Sequence, residues 1–222
     1  MPAGTLWRVH AIERRSRANG PGVRFVVWSQ GCTLGCPGCF NPETHLPDLP
    51  RGGVVGAATG AGCEWPAGEW PVAELVTAAA AQAGHVEGVT LSGGEPLQQP
   101  AAVAAFCAGI RARTDLGIIV LTGYTRAEIE ADPSRDAAVA DADMVIVGRY
   151  NPRLHLGAGL RGSANKQYWA RTGRYRAEDF AAVPDLEIAV AADGTITVSG
   201  MPDQPVTIGG QPGEPEAGEW GR

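Results

Sequence analysis

Three cysteines fall within eight residues, Cys32-x3-Cys36-x2-Cys39, in a chain of 222 residues with five cysteines in all. Thiolates are the ligands of iron–sulfur clusters and of zinc, so this crowding points to metal chemistry. A disulfide framework does not fit a chain without a secretory segment. A four-iron cluster takes one cysteine per iron, normally four. Three close thiolates and no fourth nearby would leave one iron with an open coordination position, the mark of a catalytic rather than a structural metal site. The alternative is a zinc knuckle completed by His45 or Cys63. Zinc ligands come as spaced pairs, and the second pair is missing here. Cys107 sits in the apolar run AAVAAFCAGI and reads as a small buried hydrophobe, while Cys63 reads as a surface or loop thiol.

Composition bounds the rest. Hydrophobic residues make up 44% and charged residues 19%, as in a globular domain. Glycine and proline are abundant, at 31 and 17, which predicts many turns. The formal charge is −6, and no block of basic residues forms a nucleic-acid footprint. The basic set is 17 arginines and a single lysine, Lys166. No run of 18 apolar residues could span a membrane, and the first 15 residues lack the apolar core of a signal peptide. The expectation is a cytoplasmic protein without nucleic-acid or membrane partners.

The elements that must position the cysteines follow from pattern. Residues 5–12 and 23–30 (VRFVVWSQ) read as strands. Residues 31–62 are irregular. A helix is predicted from Pro71 to Ala83, stopped by Gly84. Residues 86–92 form a strand running straight into GGEP. A second helix covers 100–112, GIIVLTG (117–123) is a buried-type strand, 125–141 holds one or two short helices, and DMVIVG (143–148) is another strand. Alternating strands and helices predict βαβ units and a parallel sheet. The loops after the strands then gather at its carboxyl edge, where α/β folds place their sites. Residues 149–176 are Arg-rich without periodicity, and 186–199 read as a hairpin turning at Asp193-Gly194. Residues 206–222 read as a disordered tail.

GPGVRFVVWSQGCTLGCPGCFNPETH resembles the signature of radical S-adenosylmethionine (SAM) enzymes. More narrowly it is similar to activating enzymes of glycyl radical enzymes, and in particular to the anaerobic ribonucleotide reductase activating branch. LSGGEPL (91–97), LTGYT (121–125), DMVIVGRY (143–150), LRGSANKQ (160–167) and ADGTITVSGMP (192–202) match as well, so the resemblance covers about 20–205. It implies an α/β fold, a partial (β/α) barrel with a parallel sheet of about five or six strands and a C-terminal β-hairpin. One domain over 1–205 would carry a variable insertion at about 51–71.

The resemblance further implies that Cys32, Cys36 and Cys39 hold a 4Fe–4S cluster. The open iron would chelate the amino and carboxylate groups of SAM, and Ser92, Gly93, Gly94, Glu95, Thr122, Arg149 and Asn165 would line the cofactor. The catalytic groups would be the cluster and SAM themselves. Reductive cleavage would give methionine and a 5′-deoxyadenosyl radical, which takes a hydrogen atom from a glycine of a partner glycyl radical protein, foremost an anaerobic ribonucleotide reductase. A flavodoxin or ferredoxin-type donor would supply the electron. Other readings are a radical SAM enzyme acting on a small molecule or peptide, a non-enzymatic iron–sulfur electron carrier, and a zinc-bearing binding module.

Two departures stand out. Many radical SAM enzymes have an aromatic residue just before the third cysteine. Here Gly38 stands there, as in the reductase-activating branch, and Phe40 follows. Close relatives often carry Asp where this chain has Val147. Of the remaining polar residues, Ser163 is placed near the active mouth and Thr122-Gly123-Tyr124 beside the nucleoside. Arg24 is read either as a cofactor or partner contact or as a solvated strand end. His10, His85 and His155 are read as structural. Arginines 149, 153, 161, 171, 174 and 176 form either a solvated face or a docking surface. Trp65 and Trp70 flank the insertion, as a docking patch or as loop anchors.

Overall fold

The computed structural model describes residues 4–46, 67–190 and 196–201. Cys63, Trp65, most of the insertion at 51–71, the Asp193-Gly194 turn and the tail at 206–222 lie outside the described residues. The expected α/β architecture is borne out. A seven-stranded sheet runs β3-β1-β2-β4-β5-β6-β9, and a separate hairpin pairs β10 with β11. The strands are β1 (Leu6–Ser16), β2 (Arg24–Ser29), β3 (Gly68–Pro71), β4 (Gly88–Gly93), β5 (Gly117–Leu121), β6 (Met144–Val147), β7 (His155–Leu156), β8 (Gly162–Ser163), β9 (Gln167–Ala170), β10 (Leu186–Val190) and β11 (Ile196–Gly200). The helices are α1 (Val72–Ala80), α2 (Pro100–Arg113), α3 (Arg126–Glu130) and α4 (Pro133–Ala138).

The parallel part is four strands, β2-β4-β5-β6. Antiparallel strands extend it at both ends. β1 turns back on β2 because only seven residues link them, far fewer than the dozen or so that a parallel crossover needs. β9 pairs antiparallel with β6, so the segment 149–176, which shows no periodicity, still returns one strand to the sheet. Trp70 belongs to edge strand β3, paired with Trp7 of β1, which anchors the C-terminal end of the expected insertion.

Alternation along the strands splits the core in two. Ile118 and Val120 face a large cluster with Phe25, Val27, Leu75, Leu91, Phe106 and Ile110. Ile119 and Leu121 face the opposite way, against Met144, Ile146, Tyr175 and Phe180. Both faces of β5 are therefore covered, which is why GIIVL is apolar throughout. Cys107 is buried within the larger cluster, and burial pushes its thiol up to about 12.

Arg24 corrects the sequence reading. It is neither a solvated strand end nor near the carboxyl edge. Its guanidinium lies buried at the start of β2. It donates to Thr90 Oγ1 (3.1 Å), Tyr175 Oη (2.7 Å), Val89 O (2.6 Å) and Gly117 O (3.0 Å). It thereby staples the second core cluster to the sheet at the edge away from the cysteines.

Candidate active site

The cysteines lie on one loop between β2 and the start of the undescribed segment. Backbone hydrogen bonds close that loop at its base. Gly31 N donates to Thr44 O (2.7 Å) and Cys32 N to His45 O (3.1 Å). Gln30 reinforces the closure by donating from Nε2 to Leu46 O (2.7 Å), while its Oε1 accepts from His10 Nδ1 (2.7 Å), which gives His10 the structural role expected of it. Inside the loop Gly38 has φ +64°, the left-handed region that favours glycine. An aromatic residue would be strained there. Phe40 supplies the ring instead, packed 4.8 Å from Tyr150.

The turn after β4 seats directly on this loop. Gly93 has φ +97°, and a Cβ on Gly94 would come within 2.5 Å of Gly31 O and 2.9 Å of Thr44 O. Only glycine lets the two backbones meet. Gly94 N donates to Ser29 O (2.8 Å) and Glu95 N to Gly31 O (3.0 Å). Gln98 adds a side-chain bridge, donating to Thr33 Oγ1 (2.8 Å).

Glu95 is buried and fully engaged. Its Oε1 accepts from Leu97 N (2.9 Å) and Thr122 Oγ1 (2.8 Å), and its Oε2 from Gly123 N (2.7 Å). It thus locks the turns after β4 and β5 together. Burial pushes its carboxyl above the ordinary range, while the three donors pull it back.

One cleft at the carboxyl edge gathers Cys32, Cys36, Cys39, Ser92, Gly93, Gly94, Glu95 and Thr122, with Leu34, Phe40, Tyr150, Lys166 and Met201 on its walls. The three cysteines are free and half-buried. Burial raises the thiols of Cys32 and Cys39, and the neighbouring thiols raise them further. A metal removes that cost by replacing the protons.

Among the described residues no three His, Cys, Asp or Glu side chains are gathered tightly enough for one metal ion. Thiolates placed on separate irons of a cluster need no such gathering. The donor set and the glycine cradle beside it therefore fit a 4Fe–4S cluster with an adjacent ligand.

Two expected residues stand off the cleft. Arg149 Nη1 donates to Glu128 Oε2 (2.7 Å) and Gly123 O (3.3 Å), and Asn165 Nδ2 donates to Arg149 O (2.9 Å). They brace the rim. Ser163 is buried and accepts from Asn151 N (3.2 Å). The Arg-rich segment does not form one face. Arg171 and Arg126 cover Trp169, Arg161 lies over Tyr168, and Arg174 pairs with Asp115 next to the opposite sheet edge. Lys166 and Tyr150 were not singled out for the site from sequence. The available signal for Lys166 was its being the only lysine in an arginine-rich chain.

The chain belongs to the family described as "4Fe-4S single cluster domain", matched over residues 18–169. The class is therefore that of 4Fe–4S domain proteins, and the radical SAM resemblance read from the motifs is borne out within it, with a 4Fe–4S cluster and SAM as its cofactors.

More particularly, the chain is similar to a pyruvate formate-lyase-activating enzyme of Listeria monocytogenes, 32% identical over 154 residues. That match covers 68% of this chain and 57% of the relative, so the chain spans a little over half the relative's length. It is also similar to the anaerobic ribonucleoside-triphosphate reductase-activating protein of Enterobacteria phage T4, 29% identical over 157 residues, covering 69% of this chain and 88% of the relative. Among solved structures, QueE from Escherichia coli aligns with a TM-score of 0.46 and 12% identity, over 68% of this chain and 74% of that one. No helix among the described residues is long and apolar enough to cross a membrane.

Proposed function

We propose that this chain is a radical SAM activating enzyme for a glycyl radical protein, foremost an anaerobic ribonucleotide reductase. One observation carries the reading. Three half-buried thiols face the same cleft as a glycine turn that only glycine can form. Cys32, Cys36 and Cys39 would hold the 4Fe–4S cluster, each on its own iron. When bound and reduced by one electron from a flavodoxin or ferredoxin-type donor, the cluster and SAM supply a 5′-deoxyadenosyl radical that takes the glycine Cα hydrogen.

The chain's own residues do the positioning. Gly93 and Gly94, in the turn seated on the cysteine loop, would let backbone lie against the methionine half of SAM beside the cluster. Glu95 acts from beneath, holding the turns after β4 and β5 in register. The Thr122 hydroxyl donates to Glu95, so it can only accept from a ligand. Ser92 lines the cleft floor, while Arg149 and Asn165 brace its rim.

The choice of partner is supported by the share of each relative that the alignment spans, 88% of the phage T4 reductase-activating protein against 57% of the formate-lyase activator. The test is anaerobic incubation of the reduced enzyme and SAM with an anaerobic ribonucleotide reductase, and separately with pyruvate formate-lyase. A glycyl radical EPR doublet on the reductase supports the reading. A doublet on the lyase alone would transfer the assignment to that partner, and 5′-deoxyadenosine formed with neither protein modified would move it to a small-molecule or peptide substrate.

A further inference from the structure

Lys166 lines the cleft with the three cysteines and Glu95. Its turn is held by Lys166 N donating to Ser163 O (3.1 Å). It packs against the end of β6, where a Cβ on Gly148 would lie 3.5 Å from Lys166 Cα. The side chain is half-buried, and among the described residues its ammonium has no hydrogen-bond or ion-pair partner. Burial is the largest influence and lowers the pKa of the ammonium from its ordinary value, whereas Glu95, Cys36 and Cys39 partly offset it by favouring the charge. The other charged groups facing the thiols do not balance them. Glu95 lies beside Cys32 and Glu43 beside Cys39. Arg149 stands off the cleft, its charge spent on Glu128 at 2.7 Å. The site thus combines thiols and carboxylates with one unspent cation.

We propose that Lys166 is the counter-charge of the cluster and makes it easier to reduce. This rests on the reading that the three cysteines hold a 4Fe–4S cluster. A cluster with three thiolates gains negative charge when it takes an electron. A fixed ammonium stabilises the reduced form more than the oxidised form. A unit charge lining the same partly buried cleft is worth about tenfold or more in such an equilibrium. Net charge and solvent exposure are the levers by which proteins set cluster potentials. Lys166 acts as a positioning charge and is not a catalytic residue.

The test is an EPR-monitored anaerobic redox titration, with dithionite as reductant and SAM absent, on wild type, K166Q, K166M and K166R after iron and sulfide have been counted. Removing the charge is expected to lower the reduction equilibrium constant at least tenfold in K166Q and K166M. That is a midpoint about 59 mV more negative for a one-electron couple. K166R is expected to stay near wild type. Two neutral variants are used so that one failing to load leaves the comparison intact.

A loaded neutral variant with an unchanged midpoint would overturn the proposal. So would an unchanged midpoint together with weakened SAM binding to the oxidised cluster, which would make Lys166 a contact for the SAM carboxylate. A wild type that binds no iron would overturn the cluster reading itself, and this proposal with it.

Discussion

At the scale of single residues, the site depends on three half-buried thiols carried on one loop. Changing Cys32, Cys36 or Cys39 to Ala is expected to abolish iron loading. Changing Cys107 to Ser, a buried thiol on α2, is expected to leave the iron-to-protein ratio unchanged at some cost in stability. Metal analysis and visible absorbance read both. The cysteine spacing and GGEP were legible in the sequence because their chemistry is local. Arg24 was not legible. A charged residue opening a strand looks solvated, and only the packing of Tyr175 across it reveals burial. Arg24→Met would strand Val89 O and Gly117 O in the core. At roughly 1–3 kcal/mol per unsatisfied buried group, the expected loss is at least about 2 kcal/mol, measured by urea unfolding.

At the scale of elements, the contact between the Gly94 turn and the cysteine loop is the critical joint. Gly94→Ala forces a methyl to within 2.5 Å of Gly31 O, backbone that the closed loop base prevents from moving away. Overpacking of this kind costs about 1–3 kcal/mol, and here it displaces the thiols. Cluster content is expected to fall sharply in that variant, read as iron per protein, with circular dichroism confirming a folded chain. The four central strands and α2 were legible from apolar runs and proline placement. The directions of β1 and β9 were not. Pairing direction is set by connection length and by tertiary neighbours rather than by the strand's own residues.

At the scale of the whole molecule, the C-terminal hairpin is tied to β1 and to the loop after it. Glu187 Oε2 accepts from Ser16 Oγ (2.9 Å) and Arg17 N (2.7 Å), and Asn19 Nδ2 donates to Ser199 Oγ (2.6 Å). Met201, just past β11, reaches the cleft, so the hairpin's seating bears on the site. Beneath it, burial and then the nearby Glu187 raise the Glu13 carboxyl from its ordinary value near 4.5 to about 7. The folded state therefore holds this proton more tightly than the unfolded chain does. The resulting stability is complete below about pH 4.5, declines as pH rises, and is gone above about pH 7, amounting to at most about 3 kcal/mol. Urea midpoints at pH 5 and pH 8 are expected to differ more for wild type than for Glu13→Gln. Equal differences would remove Glu13 from the hairpin's pH response.

The central claim is that the cleft generates a radical from SAM. The measurement that tests it most directly is anaerobic reconstitution with iron and sulfide, followed by dithionite and SAM, with 5′-deoxyadenosine as the readout and Cys36→Ala as the control. The account predicts about four irons per wild-type chain and 5′-deoxyadenosine that depends on dithionite, with neither full loading nor product in the variant. A wild-type protein that binds four irons yet releases no 5′-deoxyadenosine, even with a glycyl radical protein present, would contradict it and leave an electron carrier. Zinc in place of iron would contradict it at the level of the cysteines themselves.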